Sequence, residues 1–189
     1  MCFNIYMIVL SGASASGKTE VAKLLAKKYG ITKIITTTTR PMRINEIDGR
    51  DYFFVSLDKF KKMIEDGKFV EYTKYNDNFY GSTKDQIQEN RCLVIDECGL
   101  KTYIALNNPQ IITFFLECDE ETRYQRMLQR GDKIEDAKSR IANDKLIFTK
   151  ENKVPVDYLI DSKEQNIEEV TDKVYKLYLE ELKKRQLLK

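Results

Sequence analysis

The chain has 189 residues, 42% of them hydrophobic and 33% charged, and its 32 basic and 30 acidic residues leave a formal net charge of +2. This composition describes one globular domain with room for small inserts; it excludes a disordered chain and speaks against a nucleic-acid or membrane surface. Histidine is absent and no two of the four cysteines (Cys2, Cys92, Cys98, Cys118) have CxxC spacing, so a Cys/His zinc site and a histidine-activated nucleophile are excluded, and no disulfide framework is read.

Ile5 to Leu10 is an apolar run of strand type, ended by Ser11-Gly12. The apolar start is about ten residues long, too short to span a bilayer and without the basic flank of a signal peptide, so a cytoplasmic location is expected. Thr19 to Lys28 has helical spacing and Gly30 just past its end, and Lys33 to Thr38 is a second β-type run. Residues 40–82 differ in texture. Short aromatic strands at Asp51–Val55, Phe69–Tyr72 and Asn78–Tyr80, a helix at Ser56–Asp66 and glycines at 49, 67 and 81 suggest a small β-rich insert.

The α/β alternation then resumes. A helix is expected over Ser82–Glu89, capped by Ser82-x-x-Asp85, with buried strands at Cys92–Ile95 and Ile111–Leu116. A further helix opens at Asp119, followed by a polar connection over Gly131–Lys138 and a helix over Lys138–Lys150. A strand at Val156–Ile160 and a helix over Glu168–Lys189 complete the chain. Strands alternating with helices imply a parallel sheet covered on both faces. There are no internal repeats.

One motif carries specific chemistry. Gly12-Ala13-Ser14-Ala15-Ser16-Gly17-Lys18-Thr19 fits G-x-x-x-x-G-K-[ST] between a strand and a helix. Its glycines let backbone N–H groups wrap an anion, and the helix N-terminus adds a positive end. Lys18 is placed to reach the β- and γ-phosphates of ATP, and the Thr19 hydroxyl to hold Mg²⁺. At the end of the second β run, Arg40 and Arg43 can turn toward one dianion, and Tyr52 follows nearby.

Beyond the phosphate loop, Thr38-Thr39-Arg40-Pro41-Met42-Arg43, Asp48-Gly49-Arg50-Asp51-Tyr52-Phe53-Phe54-Val55, Glu71-Tyr72, Asn78-Phe79-Tyr80-Gly81-Ser82 and Asp96 followed by Gly99 occur in this order. From the loop to about Ser162 the chain resembles the guanylate kinase family. The resemblance implies a P-loop kinase with a parallel sheet flanked by helices, a small β-rich acceptor-binding insert and a short lid. It divides the chain into core (1–39), acceptor insert (40–82), core (83–126), lid (127–140) and core with a C-terminal helix (141–189). The implied reaction moves the γ-phosphate of ATP onto GMP.

Residue roles follow by the same resemblance. Arg40, Arg43, Tyr52 and Tyr80 bind the GMP phosphate; Thr36, Glu71, Ser82 and Asp96 face the guanine; Arg130 and Arg140 are lid arginines that reach the transferring group. Guanine presents two adjacent donors, N1–H and the 2-amino group, which one carboxylate can accept, whereas adenine N1 offers a lone pair to the same oxygen. Three positions depart from the family pattern: Val94 stands where a second aspartate helps organise the magnesium shell, Asp161 where an asparagine touches adenine, and the lid is one residue short. Small-molecule substrates, no nucleic acid or membrane, and a monomer or weak homodimer are expected. The alternatives are a kinase of the same fold with another acceptor (dGMP, another nucleoside monophosphate or a ribose bisphosphate) and a catalytically weak binding module.

Overall fold

The structure, a computed structural model, describes residues 6–75, 77–148, 154–163 and 166–187. In chain order the elements are β1 (Met7–Ser11), α1 (Lys18–Tyr29), β2 (Thr32–Lys33), β3 (Thr37–Thr38), β4 (Phe53–Phe54), α2 (Leu57–Glu65), β5 (Phe69–Tyr75), β6 (Asn78–Thr83), β7 (Arg91–Val94), α3 (Glu97–Ala105), β8 (Ile111–Glu117), α4 (Glu120–Gln129), α5 (Ile134–Ile147), β9 (Tyr158–Asp161) and α6 (Ile167–Lys184).

The main sheet has the order β2-β7-β1-β8-β9, and every neighbouring pair is parallel. Every residue of β1 is buried, because parallel strands joined by helical crossovers are covered on both faces. Ile8 and Leu10 pack with Val21 and Leu25 of α1 and with Val170 and Val174 of α6. Met7 and Val9 face the other way, against Ile34, Leu93 and the α3 residues Leu100 and Tyr103. Because β1 sits between β7 and β8, the loop leaving its C-terminal end opens into the crevice where strand order reverses, the usual ligand position in such sheets.

A second sheet, of order β4-β3-β6-β5, is mixed: β3 and β4 are parallel, while β6 runs antiparallel to β3 and β5. The helix α2 covers it with Phe60, which is fully buried and stacks on Phe69 at 4.5 Å, with Phe79 at 5.5 Å. The register of β5 on β6 shifts between Phe69 and Glu71, and Glu71 comes opposite Ser82.

Four local expectations are corrected. The second β run divides, with Thr32–Lys33 pairing with β7 in the main sheet and Thr37–Thr38 with β4 and β6 in the other. The chain changes sheets within a run whose composition is uniformly β-favouring. Ser82 caps no helix; it lies in β6, and only a short 3₁₀ turn, Lys84–Gln86, follows. Cross-strand pairing with β5 here overrides a local capping pattern. The expected polar connection after Gly131 is shorter, because α5 starts at Ile134, and the last helix ends at Lys184. The expected segments at Ile5, Thr149–Lys150 and Leu188–Lys189 lie outside the described residues. The helix α3 was not anticipated; Asp96 caps it by accepting from Gly99 N–H at 2.9 Å.

Phe60 is the one buried side chain of α2. Phe60→Ala is expected to cost about 3–5 kcal/mol, read in urea unfolding. Hydrogen exchange should show residues 53–83 losing protection before the parallel sheet does.

Candidate active site

The phosphate loop begins where β1 ends. At Gly12, φ is 142° and an added Cβ would lie 2.5 Å from the Leu116 carbonyl oxygen, so the loop can follow this path only with glycine. Ala15 holds φ of 61°, a left-handed conformation that costs a residue with a Cβ about 1–2 kcal/mol. Gly17 caps α1, and Lys18 and Thr19 are the first two residues of that helix. The Lys18 ammonium folds over the loop and donates to the carbonyls of Gly12 (2.7 Å) and Ala13 (2.8 Å). Burial lowers its pKa to about 8, against the opposing pull of Asp144.

Asp144, on α5, is the acid closest in effect to that lysine, and it is itself buried. Its Oδ2 accepts from the Ser14 backbone N–H (2.9 Å) and from the Arg123 guanidinium (2.6 Å). Its Oδ1 accepts from the Ser14 hydroxyl (3.3 Å) and the Tyr75 hydroxyl (3.2 Å). Arg123 also reaches the carbonyls of Cys118 and Ser14. One carboxylate thus joins the phosphate loop, the end of β5, α4 and α5.

Opposite the loop lies a cluster of arginines. Desolvation and the neighbouring charges of Arg140, Arg40 and Arg130 lower the pKa of Arg43. Arg40 is held by both Glu46 carboxylate oxygens (2.7 and 3.0 Å), and Glu46 also accepts from Arg43 N–H. The Arg40 guanidinium lies over the ring of Tyr52 at 5.3 Å, and Tyr52 meets Tyr80 edge-on. Asp132 pairs with Arg130 (3.1 Å to Nε) and lies 3.8 Å from Arg140. Desolvation would raise the Asp132 pKa, but these arginines outweigh it and bring it down.

Two carboxylates occupy another part of the same site. Glu71 on β5 is buried, and its Oε1 accepts from the Ser82 N–H (3.1 Å) and the Ser82 hydroxyl (2.8 Å). Desolvation, reinforced by Asp96, raises its pKa to about 7. Desolvation also raises the Asp96 pKa, against the Gly99 and Cys98 N–H groups and the charge of Lys18. Gly99 packs so closely on Glu71 that an added Cβ would lie 3.0 Å from Oε2. Charged oxygens forced together in a dry site favour a ligand that brings hydrogen-bond donors.

One cavity of about 270 Å³ gathers most of the sequence-predicted residues. It is lined by Gly12, Ser14, Ala15, Lys18 and Thr19 of the loop; by Thr36, Glu71 and Asp96; by Arg40, Arg43, Tyr52 and Tyr80; and by Arg130 and Arg140. Ala13, Ser16, Gly17 and Ser82 do not line it. Ser16 is buried with its carbonyl accepting from Ser162, and Ser82 is fully buried. Sequence reasoning missed Tyr75, Tyr103, Arg123 and Asp144. Arg140 and Asp144 are four apart and share a face of α5, a spacing already contained in the expected helix over Lys138–Lys150 that could have pointed to Asp144.

A phosphate loop at the switch point of a parallel sheet, facing an arginine cluster in the same cavity, defines a P-loop nucleotide kinase. The comparisons with known proteins agree. The family model described as guanylate kinase matches residues 5–181, and the chain belongs to the guanylate kinase family. It is 30% identical to a guanylate kinase of Wolbachia pipientis wMel, over 96% of this chain and 95% of that one. It is 36% identical to a guanylate kinase of Clostridioides difficile (strain 630), over 68% and 66%. The crystal structure of guanylate kinase from Anaplasma phagocytophilum matches with a TM-score of 0.67 at 25% identity, covering 93% of this chain and 85% of that one.

Removing one partner of a buried ion pair strands the other charge, whereas replacing both with apolar groups is often neutral. Asp144→Ala is therefore expected to lose about 3–5 kcal/mol in denaturant unfolding. The double variant Arg123→Leu/Asp144→Ala should recover part of that loss, the remainder reflecting the Ser14 and Tyr75 donors left without their acceptor.

Proposed function

We propose that the chain catalyses transfer of the γ-phosphate of ATP to the phosphate of GMP, giving ADP and GDP. The observation that carries this reading is a single cavity lined by the lysine of a phosphate loop, by the buried Glu71 and half-buried Asp96 carboxylates, and by arginines from three segments of the chain.

A GMP phosphate oxygen attacks the γ-phosphorus of ATP. The new O–P bond forms as the bond to the β,γ-bridging oxygen breaks, and ADP leaves with that electron pair. The nucleophile is already anionic, so no histidine base is needed, and the protein contributes position and positive charge. Lys18 leaves its loop carbonyls for the β- and γ-phosphates. Arg40, Arg43, Tyr52 and Tyr80 hold the acceptor phosphate. Arg130 and Arg140 exchange Asp132 for the transferring group, which is the basis for treating residues 127–140 as a lid and residues 40–82 as the acceptor-binding part. Closure of both over the nucleotides excludes water.

Magnesium fits this site as a companion of the nucleotide. The Thr19 hydroxyl is exposed on the cavity wall, Val94 lines the same wall, and no cluster of three metal-ligating acids occurs among the described residues. Such a cation, held through Thr19 and the phosphates, would neutralise charge on the β- and γ-oxygens.

At the base end, Glu71 accepts guanine N1–H and the 2-amino group, and Asp96 supports the same edge. Adenine directs a lone pair at these oxygens instead. Among the described residues no helix is long and apolar enough to cross a membrane, and the partners of this reading are small nucleotides.

Steady-state ADP release with ATP and Mg²⁺ tests the reading across GMP, dGMP, AMP, CMP and UMP, with GMP expected to lead. Glu71→Gln should lower the ratio of kcat/KM for GMP over AMP by about tenfold to a hundredfold, and an unchanged ratio would contradict base reading by Glu71. In the wild type Glu71 is protonated below and ionised above its pKa of about 7. Lys18, lowered to about 8, sets a fall at high pH with either acceptor, while the ionised form of Glu71 accepts the guanine donors, so kcat/KM for GMP should also rise with pH through about 7. The AMP profile should lack that limb.

A further inference from the structure

Tyr103 lies on α3 among Met7, Val9, Leu93, Ile95 and Leu100, and it is 1% exposed. Its ring is in the core, where phenylalanine would pack equally well, so the hydroxyl needs its own explanation. That hydroxyl lies 2.8 Å from Ser82 Oγ, and Ser82 Oγ lies 2.8 Å from Glu71 Oε1. A serine hydroxyl has one proton. Facing a carboxylate oxygen, Ser82 gives that proton to Glu71, which leaves only its lone pairs for Tyr103. The tyrosine is therefore the donor. Two hydrogen bonds run in one direction, from Tyr103 through Ser82 to Glu71, and they tie α3 and β6 to β5.

Burial keeps Tyr103 protonated far above the physiological range, so it remains a donor. Hydrogen bonds in series polarise one another, and the effect is largest where water is excluded. A serine that accepts from Tyr103 donates more strongly to Glu71, and its hydroxyl cannot rotate toward another acceptor. Ser82 is also absent from the cavity lining. Its hydroxyl donates to Glu71 in this arrangement.

We infer that Tyr103 is a positioning residue for base choice, acting through Ser82 to fix and stabilise the ionised Glu71 carboxylate against guanine. This rests on the proposed reading of Glu71 as the guanine acceptor. Asp96, at the N-terminus of α3, is the charged group that opposes ionisation of Glu71; it is unaltered in the variants below, so a change in the pH profile reports on the relay.

The experiment compares Tyr103→Phe, Ser82→Ala, Glu71→Gln and the double variant Tyr103→Phe/Glu71→Gln, using GMP and AMP as acceptors between pH 5.5 and 9. Those bounds are an approximate working range, placed about 1.5–2 units either side of an acid limb near neutrality. Tyr103→Phe is expected to raise KM for GMP about twofold to tenfold, leaving kcat and KM for ATP nearly unchanged. Its acid limb of kcat/KM for GMP should move to higher pH, and Ser82→Ala should move it the same way. In the Glu71→Gln background, Tyr103→Phe should have no further effect on the GMP:AMP ratio. A Tyr103→Phe enzyme that is less stable but keeps its KM for GMP and its acid limb would overturn the inference, as would an equal loss in both backgrounds. If Glu71→Gln collapses the ratio while Tyr103→Phe leaves it, the inference fails and the guanine reading stands. A ratio unmoved by Glu71→Gln overturns both.

Discussion

The buried Asp144 carboxylate holds the phosphate loop to the elements on either side of it. A loop rich in small residues between β1 and α1 has few side chains of its own with which to fix a position. Here Ser14 is anchored twice, through its backbone N–H and its hydroxyl, to a carboxylate that also accepts from Tyr75 at the end of β5. Arg123 supplies the compensating charge from α4, within the same dry contact. An uncompensated carboxylate there would be costly, and a second acid beside Lys18 would disfavour a polyphosphate. Paired, Asp144 sets the donor loop, the acceptor-side sheet and the arginine-bearing helix α5 in fixed relation. Arg140 lies one turn from Asp144 on that helix, so the anchor that steadies the loop also sets the depth to which Arg140 can enter the cavity.

Charge is balanced over the whole chain but segregated inside the site. Arginines from the loop after β3, from the end of α4 and from α5 crowd one part of the cavity, where each lowers the proton affinity of Arg43. Carboxylates occupy another, where desolvation raises the pKa of both Glu71 and Asp96 and the charge of Asp96 adds to the cost of ionising Glu71. Both strains are relieved by one kind of molecule, with phosphate at one end and hydrogen-bond donors at the other. A nucleoside monophosphate whose base carries adjacent N–H groups meets that description. The Tyr103–Ser82 relay keeps the acidic part ready, and Glu46 and Asp132 keep the arginines extended toward the cavity without neutralising the whole cluster.

The parallel sheet and the phosphate loop were legible in the sequence because each is a local signal: buried β runs, a glycine loop and a helix start follow one another within a few residues. The acceptor residues were legible only as a pattern spread along the chain, since Arg40, Glu71 and Asp96 taken singly look like surface charges or caps. What escaped was tertiary. The division of Lys33–Thr38 between two sheets depends on which strands each half meets. Ser82 reads locally as a helix cap, yet β5 claims it as a strand partner. Asp144 and Arg123 look like ordinary exposed helix charges until the packing of α4 on α5 buries them against the loop. Tyr103 reads as one more core aromatic until the position of Ser82 is known.

The central claim is that donor and acceptor phosphates meet end to end in one cavity, between the loop held by Asp144 and the carboxylate held by Tyr103 and Ser82. Calorimetric titration with adenosine and guanosine joined by a five-phosphate chain tests it most directly, because such a ligand spans both ends only if they share a cavity. The account predicts binding about a hundredfold or more tighter than ATP or GMP alone, and tighter than the diadenosine counterpart. An affinity equal to that of ATP alone, with no preference for guanosine at the second end, would contradict it.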